Sequence, residues 1–330
     1  MRDYRPLRWG VQTGFVLLTL WIGYDFVQFY RQVTGGLPVT VDRPSGVEAF
    51  LPISALLGLK RWLMTGQWDE IHPAGLTLLL AFIAGSIIAR RSFCSWICPL
   101  GTLSRALEVV RHRLLRLPPR WRSPLWARRL APVTKYPLLG AFLWLVLSMP
   151  LIAIEQFLHQ PYNMGADGAM LVMFAHLSAK GMAVIGALVL LSVILRNGWC
   201  RVLCPYGAFF GVVGVLSPFR VRRDASACHN CGACTRACGM GIRVSEKDTV
   251  QSLECTTCLN CVSACKFPGA LGVSTVAGRG SIRPWLLPAG ALAVLGLAYG
   301  VALSTGHWDT VLTLDHFRFS YLFGGHGHGQ

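Results

Sequence analysis

Twelve cysteines in 330 residues carry the chemistry of this chain, and eight of them write one pattern twice. Cys228-x2-Cys231-x2-Cys234-x3-Cys238 is followed by Cys255-x2-Cys258-x2-Cys261-x3-Cys265. Three thiolates this close wrap one face of a cubane iron–sulfur cluster, and a short loop cannot carry a fourth to the far iron. In two-cluster modules of this spacing the fourth cysteine of each run ligates the other cluster. The spacing therefore predicts two 4Fe-4S clusters. One is held by Cys228, Cys231, Cys234 and Cys265, the other by Cys255, Cys258, Cys261 and Cys238. Zinc also takes four thiolates, but usually from two separated Cys-x2-Cys knuckles. The proline that often follows the fourth cysteine is missing, since Gly239 follows Cys238 and Lys266 follows Cys265. Such a pair stores and passes single electrons and offers no open coordination site.

The other four cysteines form a second repeat. Phe93-Cys94-Ser95-Trp96-Ile97-Cys98-Pro99-Leu100-Gly101 and Trp199-Cys200-Arg201-Val202-Leu203-Cys204-Pro205-Tyr206-Gly207 share the template aromatic-Cys-x3-Cys-Pro-x-Gly, with Arg90 and Arg196 four residues before the first cysteine. Proline disfavours helix at the residue before it and suits the first turn of a new one. Cys98 and Cys204 are thus expected at helix starts, where a thiol beside arginine is pushed towards thiolate. Three uses stay open: the pairs converge as a metal site for a further cluster or a soft metal, each pair is a redox dithiol, or the thiols only pack the repeat.

The elements that position these residues lie mostly in lipid. Hydrophobic residues make up 53% of the chain and charged residues 14%, against about 25% charged in a soluble domain. This excludes an ordinary soluble enzyme and a disordered chain. Apolar runs near 10–30, 73–89, 137–157, 174–195 and 284–305 have the length a bilayer of about 30 Å demands. Lys180 interrupts the fourth and is expected to snorkel. The first run is span-length and shows no cleavage pattern for a signal peptide. Of the 31 Lys and Arg, 25 fall in 1–9, 90–136 and 196–283. That alternation fits five spans with the N-terminus and every cysteine on the cytoplasmic side and the C-terminus outside. The formal charge of +16 then marks an inner membrane face, and no nucleic-acid partner is expected. Cytoplasmic cysteines are seldom disulfides.

The predicted fold class is an all-α polytopic membrane protein of about five transmembrane helices, with a two-helix parallel repeat and a small cytoplasmic α+β dicluster ferredoxin-like domain. Residues 1–217 form the membrane domain and 218–280 the ferredoxin domain. Residues 281–330 hold the fifth helix and an outer His-rich tail with His326 and His328. After Pro99, Leu100, Leu103, Leu107 and Val110 recur every three or four positions with Arg105 and Arg111 on other faces, the pattern of an amphipathic helix on the inner leaflet.

These motifs together resemble the NapH, NosR and MauN type of membrane ferredoxin over roughly residues 10–275. The segment from Arg43-Pro44-Ser45-Gly46 to His72-Pro73-Ala74-Gly75 is similar to stretches in other members. The resemblance implies an oxidoreductase component of the bacterial inner membrane, quinol dehydrogenase-like, that moves electrons between the quinone pool and a redox partner protein. The flavin-binding outer domain of NosR has no counterpart here, and a fifth span is added to the four of NapH. Two alternatives remain: metal reduction resembling CcoG-type copper reductases, and a non-catalytic assembly or maturation subunit of a respiratory complex.

Quinol oxidation releases protons and so needs a base. Glu155 and His159, one helical turn apart at the outer end of a span, are the candidate pair, with interfacial polarity as the plainer reading. Electrons released there would face about 30 Å of hydrocarbon, so a quinone site beside Cys94 and Cys200 is simpler.

Overall fold

The computed structural model describes residues 3–114, 133–276 and 281–323. The chain divides into two compact units: 1–16, 82–141 and 183–294 form the first, and 17–81, 142–182 and 295–330 the second. His326 and His328 lie outside the described residues.

Every predicted apolar run is helical, but not every run is one straight span. Arg5–Gly35 and Leu286–Thr305 are each long and apolar enough to cross a membrane. Pro73–Ala89 has 17 residues, about 25 Å at 1.5 Å per residue. The run 137–157, expected as a single span, bends by 100° between Lys135–Ser148 and Leu151–Leu158. Pro150 explains the bend: it has no N–H to continue the helix and biases Met149 away from helical backbone. The run 174–195 bends by 86° between Ala166–Ala175 and Ala179–Ile194, with Lys180 exposed in the first turn of the latter. The described residues therefore hold two to four candidate spans, four if each bent pair is one.

In the first unit, strands β1 (Phe219–Arg223), β2 (Leu271–Thr275) and β3 (Ser281–Ile282) form an antiparallel sheet in that order. Val221 pairs with Val273 and Val273 with Ile282. Val221 and Val273 are 3% and 1% exposed, so this face of the sheet closes the core. The core also takes Met240, Ile242, Val244 and Val250 from the loops between β1 and β2, and Cys200 with Trp199 from the second edge motif. The ferredoxin segment and that edge motif thus share one core. Phe82, Phe93 and Phe210 cluster beside the first edge motif, with Phe82–Phe93 centroids 4.0 Å apart and Phe210 edge-on to Phe93.

The second unit has an apolar cluster of Phe26, Phe29, Val33, Val47, Phe317 and Tyr321 beside a buried ion network. Arg43 donates to Glu48 and Asp167, both at 2.8 Å. His72 sits with Nε2 2.9 Å from the Asn163 carbonyl and Nδ1 3.5 Å from Glu48. Lys60 answers the bend at Pro150. Its Nζ donates to the carbonyls of Val146, Leu147 and Met149 at 3.1, 2.8 and 2.6 Å. These are oxygens that a helix end leaves unpaired, and a cation there suits the helix dipole. Lys60→Met is expected to cost about 1–3 kcal/mol, measured as a lowered thermal midpoint of the detergent-solubilised protein.

Candidate iron–sulfur centres

The two ferredoxin loops fold alike. Asn230 and Gly232 flank Cys231 with φ of 50° and 68°, and Thr257 and Leu259 flank Cys258 with 49° and 59°. Three of these four are not glycine, so a left-handed backbone here is a specific demand of the loop. It turns each chain sharply around its middle cysteine. Two short helices, Ala233–Ala237 and Asn260–Ser263, follow and carry Cys234 and Cys261.

Cys255, Cys258 and Cys261 line one small cavity, and the fourth cysteine on it is Cys238, from the other run. The rest of that wall is largely apolar: Val221, Met240, Ile242, Val244, Val250 and Leu259. A crossed ligand set would need these four cysteines on one wall. Burial, and then the charges of Cys258 and Cys255, push the Cys238 thiol up to about 12. Burial followed by Cys258, Cys238 and Cys255 raises Cys261 strongly. In the other set Cys234 is raised, first by burial and also by Cys265. Cys228 is lowered, chiefly by the Asn230 backbone N–H and then by Arg223. Cys231 is exposed.

The edge cysteines are brought together as well. Helices Pro99–Leu114 and Pro205–Val213 start directly after Cys98 and Cys204, as the prolines predict. The Gly207 N–H donates to Cys204 Sγ at 3.3 Å. Burial opposes the shift towards thiolate that a helix start favours. Cys98 is pushed up to about 12, by burial first and then by Cys94 and, further down, Cys204. Cys200 is raised by burial, then by Cys204, Cys98 and Cys94, and Cys204 by burial and Cys94. Each thiol feels thiols of the other repeat. Thiols raised this far are poor nucleophiles for disulfide exchange. A positively charged metal core would relieve the same penalty. Among the described residues, no three His, Cys, Asp or Glu side chains stand close enough to share a single metal ion. A cubane instead seats each thiolate on its own iron.

Glycine completes the template for a steric reason. A Cβ on Gly101 would overlap the Cys94 carbonyl, and one on Gly207 would lie 2.6 Å from Arg91 Nη2. Gly101→Ala is expected to displace Cys94 and Cys98 and to lower iron content. Gly14→Ala, where nothing lies within 4 Å, should leave iron unchanged in the same assay.

The sequence template held Arg90 and Arg196 but not their partners, nor Glu254 and Lys135, which join the first edge motif to the ferredoxin loops. Arg90 donates to the Val250 and Ser252 carbonyls at 2.8 and 2.6 Å. Arg91, 1% exposed, donates to Glu254 at 3.1 Å; burial opposes its charge, but nearby Cys94, Glu254 and Cys200 together outweigh it and hold the guanidinium above its ordinary value. Lys135 Nζ and Tyr136 OH also donate to Glu254, at 2.6 and 3.0 Å. From the second motif, Arg196 donates to the Arg236 carbonyl at 3.2 Å and Asn197 to the Gly239 carbonyl at 3.2 Å. Each repeat therefore grips one ferredoxin loop. The Arg four residues before each motif was a visible signal; the position of Glu254 just before Cys255 was not.

Glu155 and His159 do stand together in the second unit, with Glu155 Oε2 3.9 Å from His159 Nδ1. Glu155 is engaged by Arg61 Nε at 2.6 Å, an ion pair that any role as a base must break.

A helical chain with apolar span-length helices and cysteine sets of cluster-ligand spacing defines a membrane iron–sulfur electron-transfer protein. Comparison with known proteins gives its family. A family model described as a 4Fe-4S binding domain matches residues 71–118 and again 180–224, one match per edge motif. A 4Fe-4S dicluster domain matches 220–266. The chain is 35% identical over 313 residues to YccM of Escherichia coli strain K12, provisionally named an electron transport protein, covering 92% of this chain and 85% of YccM. It is 32% identical over 208 residues to the methylamine utilization ferredoxin-type protein MauN of Methylorubrum extorquens, 59% of this chain and 63% of MauN. It is 24% identical over 206 residues to the ferredoxin-type protein NapH of Haemophilus influenzae, 60% of this chain and 66% of NapH. The chain belongs to the NapH/MauN-type ferredoxin family. No solved structure matches it.

Proposed function

We propose that this chain carries electrons between the membrane quinone pool and a redox partner protein through three 4Fe-4S clusters. Two are ligated by the crossed ferredoxin sets and the third by Cys94, Cys98, Cys200 and Cys204. The observation that carries this reading is that Cys94 of one edge motif and Cys200 of the other line the same cavity, in a unit whose core joins Cys200 to Cys255. When bound, the clusters supply one-electron storage. The protein's part is to hold the thiols, to keep water from the buried set, and to place Arg91 between the edge thiols and Glu254. The topology we propose is five spans in a bacterial inner membrane with the cysteines cytoplasmic, supported by the Lys and Arg alternation; it counts the two straight helices, each bent pair and the shorter Pro73–Ala89 as one span apiece.

The test is anaerobic mixing of the iron-loaded protein in lipid nanodiscs with a quinol analogue, followed by visible absorbance and electron paramagnetic resonance. Electron exchange between quinol and clusters is the expected result. Clusters inert to every quinol but oxidised by added cupric ion would instead favour metal reduction, and clusters inert to any reductant would favour a scaffold.

A further inference from the structure

The two ferredoxin loops share a backbone shape but not their surroundings. Thr256 and Thr257, just before the middle cysteine Cys258, are 6% and 3% exposed. Their carbonyls accept from Ser95 Oγ at 2.7 Å and Trp96 Nε1 at 3.2 Å, and the Cys258 carbonyl accepts from Arg8 Nη1 at 3.0 Å. The Tyr4 N–H donates to Ser263 Oγ at 3.1 Å. The start of the chain and the first edge motif therefore cover this loop. The matched positions of the other loop, His229, Asn230 and Cys231, are all exposed. There the Cys231 carbonyl accepts at 2.9 Å from Arg236 of the same loop. One loop is capped by distant segments; the other caps itself and turns its middle cysteine outward.

Two features describe the outward face. His229, next to Cys228, stacks on Phe267, two residues after Cys265, with ring centroids 4.1 Å apart and planes 29° apart. Cys228 and Cys265 belong to one proposed ligand set, so the stack joins the two runs at that set. Pro268 and Gly269 are exposed beside Phe267. Charge is the second feature. The nearby acids are engaged: Asp248 accepts from Arg223 at 2.8 Å, Glu246 from Arg243 at 3.1 Å, and Asp224 from Ser226 Oγ at 2.6 Å. Arg236 and Lys266 are exposed, and neither forms an ion pair among the described residues. An aromatic centre with arginine beside it and a charged rim is the anatomy of a protein interface.

We propose that this face, centred on Cys231 and the His229–Phe267 stack, is where an acidic redox protein docks and exchanges electrons, an inference that rests on the redox-partner reading above and names the partner's chemistry. Arg236 and Lys266 meet carboxylates that surround the carrier's cofactor, and the stack gives the contact its apolar centre. One electron passes between the cluster held by Cys228, Cys231, Cys234 and Cys265 and that cofactor; one side is oxidised, the other reduced, and no bond is made or broken. Cys255, Cys258 and Cys261, on the covered loop, hold the inner station of the relay. The contact is of the small, transient class usual for redox encounters, so steering by charge governs its rate.

The experiment uses the iron-loaded full chain in nanodiscs of neutral lipid, with flavodoxin as an acidic carrier and mitochondrial cytochrome c as a basic one. Stopped-flow absorbance gives the second-order rate of electron exchange with each. Zero-length carbodiimide coupling, mapped by mass spectrometry, reports the docked pair without turnover. At low salt Lys266→Glu is expected to slow exchange with flavodoxin roughly tenfold and to speed it with cytochrome c, the effect of reversing one steering charge, with iron content unchanged. Both effects should vanish near 1 M salt, where the Debye length is about 3 Å. His229→Ala is expected to slow flavodoxin at every salt concentration, and carbodiimide to join Lys266 to a flavodoxin carboxylate. Wild-type rates in Lys266→Glu with both carriers, together with no cross-link on Lys266, overturn the surface and leave the redox-partner reading standing. Reducible clusters that exchange electrons with neither carrier overturn both. Loss of flavodoxin exchange on adding anionic lipid to the nanodisc would assign the basic rim to the bilayer and overturn the surface.

Discussion

Replacing Cys200 with serine is expected to lower iron from about twelve to about eight per chain, leaving the two ferredoxin clusters in place. Cys94→Ser should do the same although it lies in the other repeat. The reason is that each repeat would supply two of one cluster's four thiolates, so a substitution in either repeat weakens the same cluster. If the two repeats worked as independent dithiols, each substitution would spare the other pair and change iron not at all. Iron and acid-labile sulfide analysis of the two variants, beside Cys228→Ser as a substitution in a ferredoxin set, separates these outcomes.

Glu254→Gln is expected to cost about 3–5 kcal/mol, the usual price of breaking one side of a buried ion pair. Arg91 and Lys135 have side chains 1% and 0% exposed, and both donate to Glu254. Removing its charge leaves two cations buried without compensation. Partial recovery in Glu254→Gln with Lys135→Met would show that the penalty is the uncompensated charge. Denaturant midpoints of the iron-loaded variants in one detergent measure it, and a loss under about 1 kcal/mol would show that the network is solvated.

Much of this was legible in the sequence because cysteine spacing is a local signal. The x2-x2-x3 runs announce their loops, and a crossed ligand set would need Cys238 on the wall with Cys255, Cys258 and Cys261, where it stands. The prolines after Cys98 and Cys204 marked helix starts correctly. The prolines also held a signal that hydropathy hid, since Pro150 inside an apolar run marks the bend that a span-length count passes over. The thiolate expectation left out burial, because helix position is readable from sequence and desolvation is not. Glu254 and the Arg8 contact with Cys258 were invisible for another reason. Arg8 meets Cys258 across 250 positions, and Arg91 meets Glu254 across 163, and no periodicity spans such distances.

The central claim is that the edge cysteines of both repeats hold a cluster of their own. The most direct measurement is iron and sulfide per chain in an anaerobic preparation, joined to spin quantification of the reduced protein by electron paramagnetic resonance. About twelve irons and three reducible clusters is the predicted result. About eight irons, with Cys94 and Cys200 open to alkylation in the loaded protein, would contradict it.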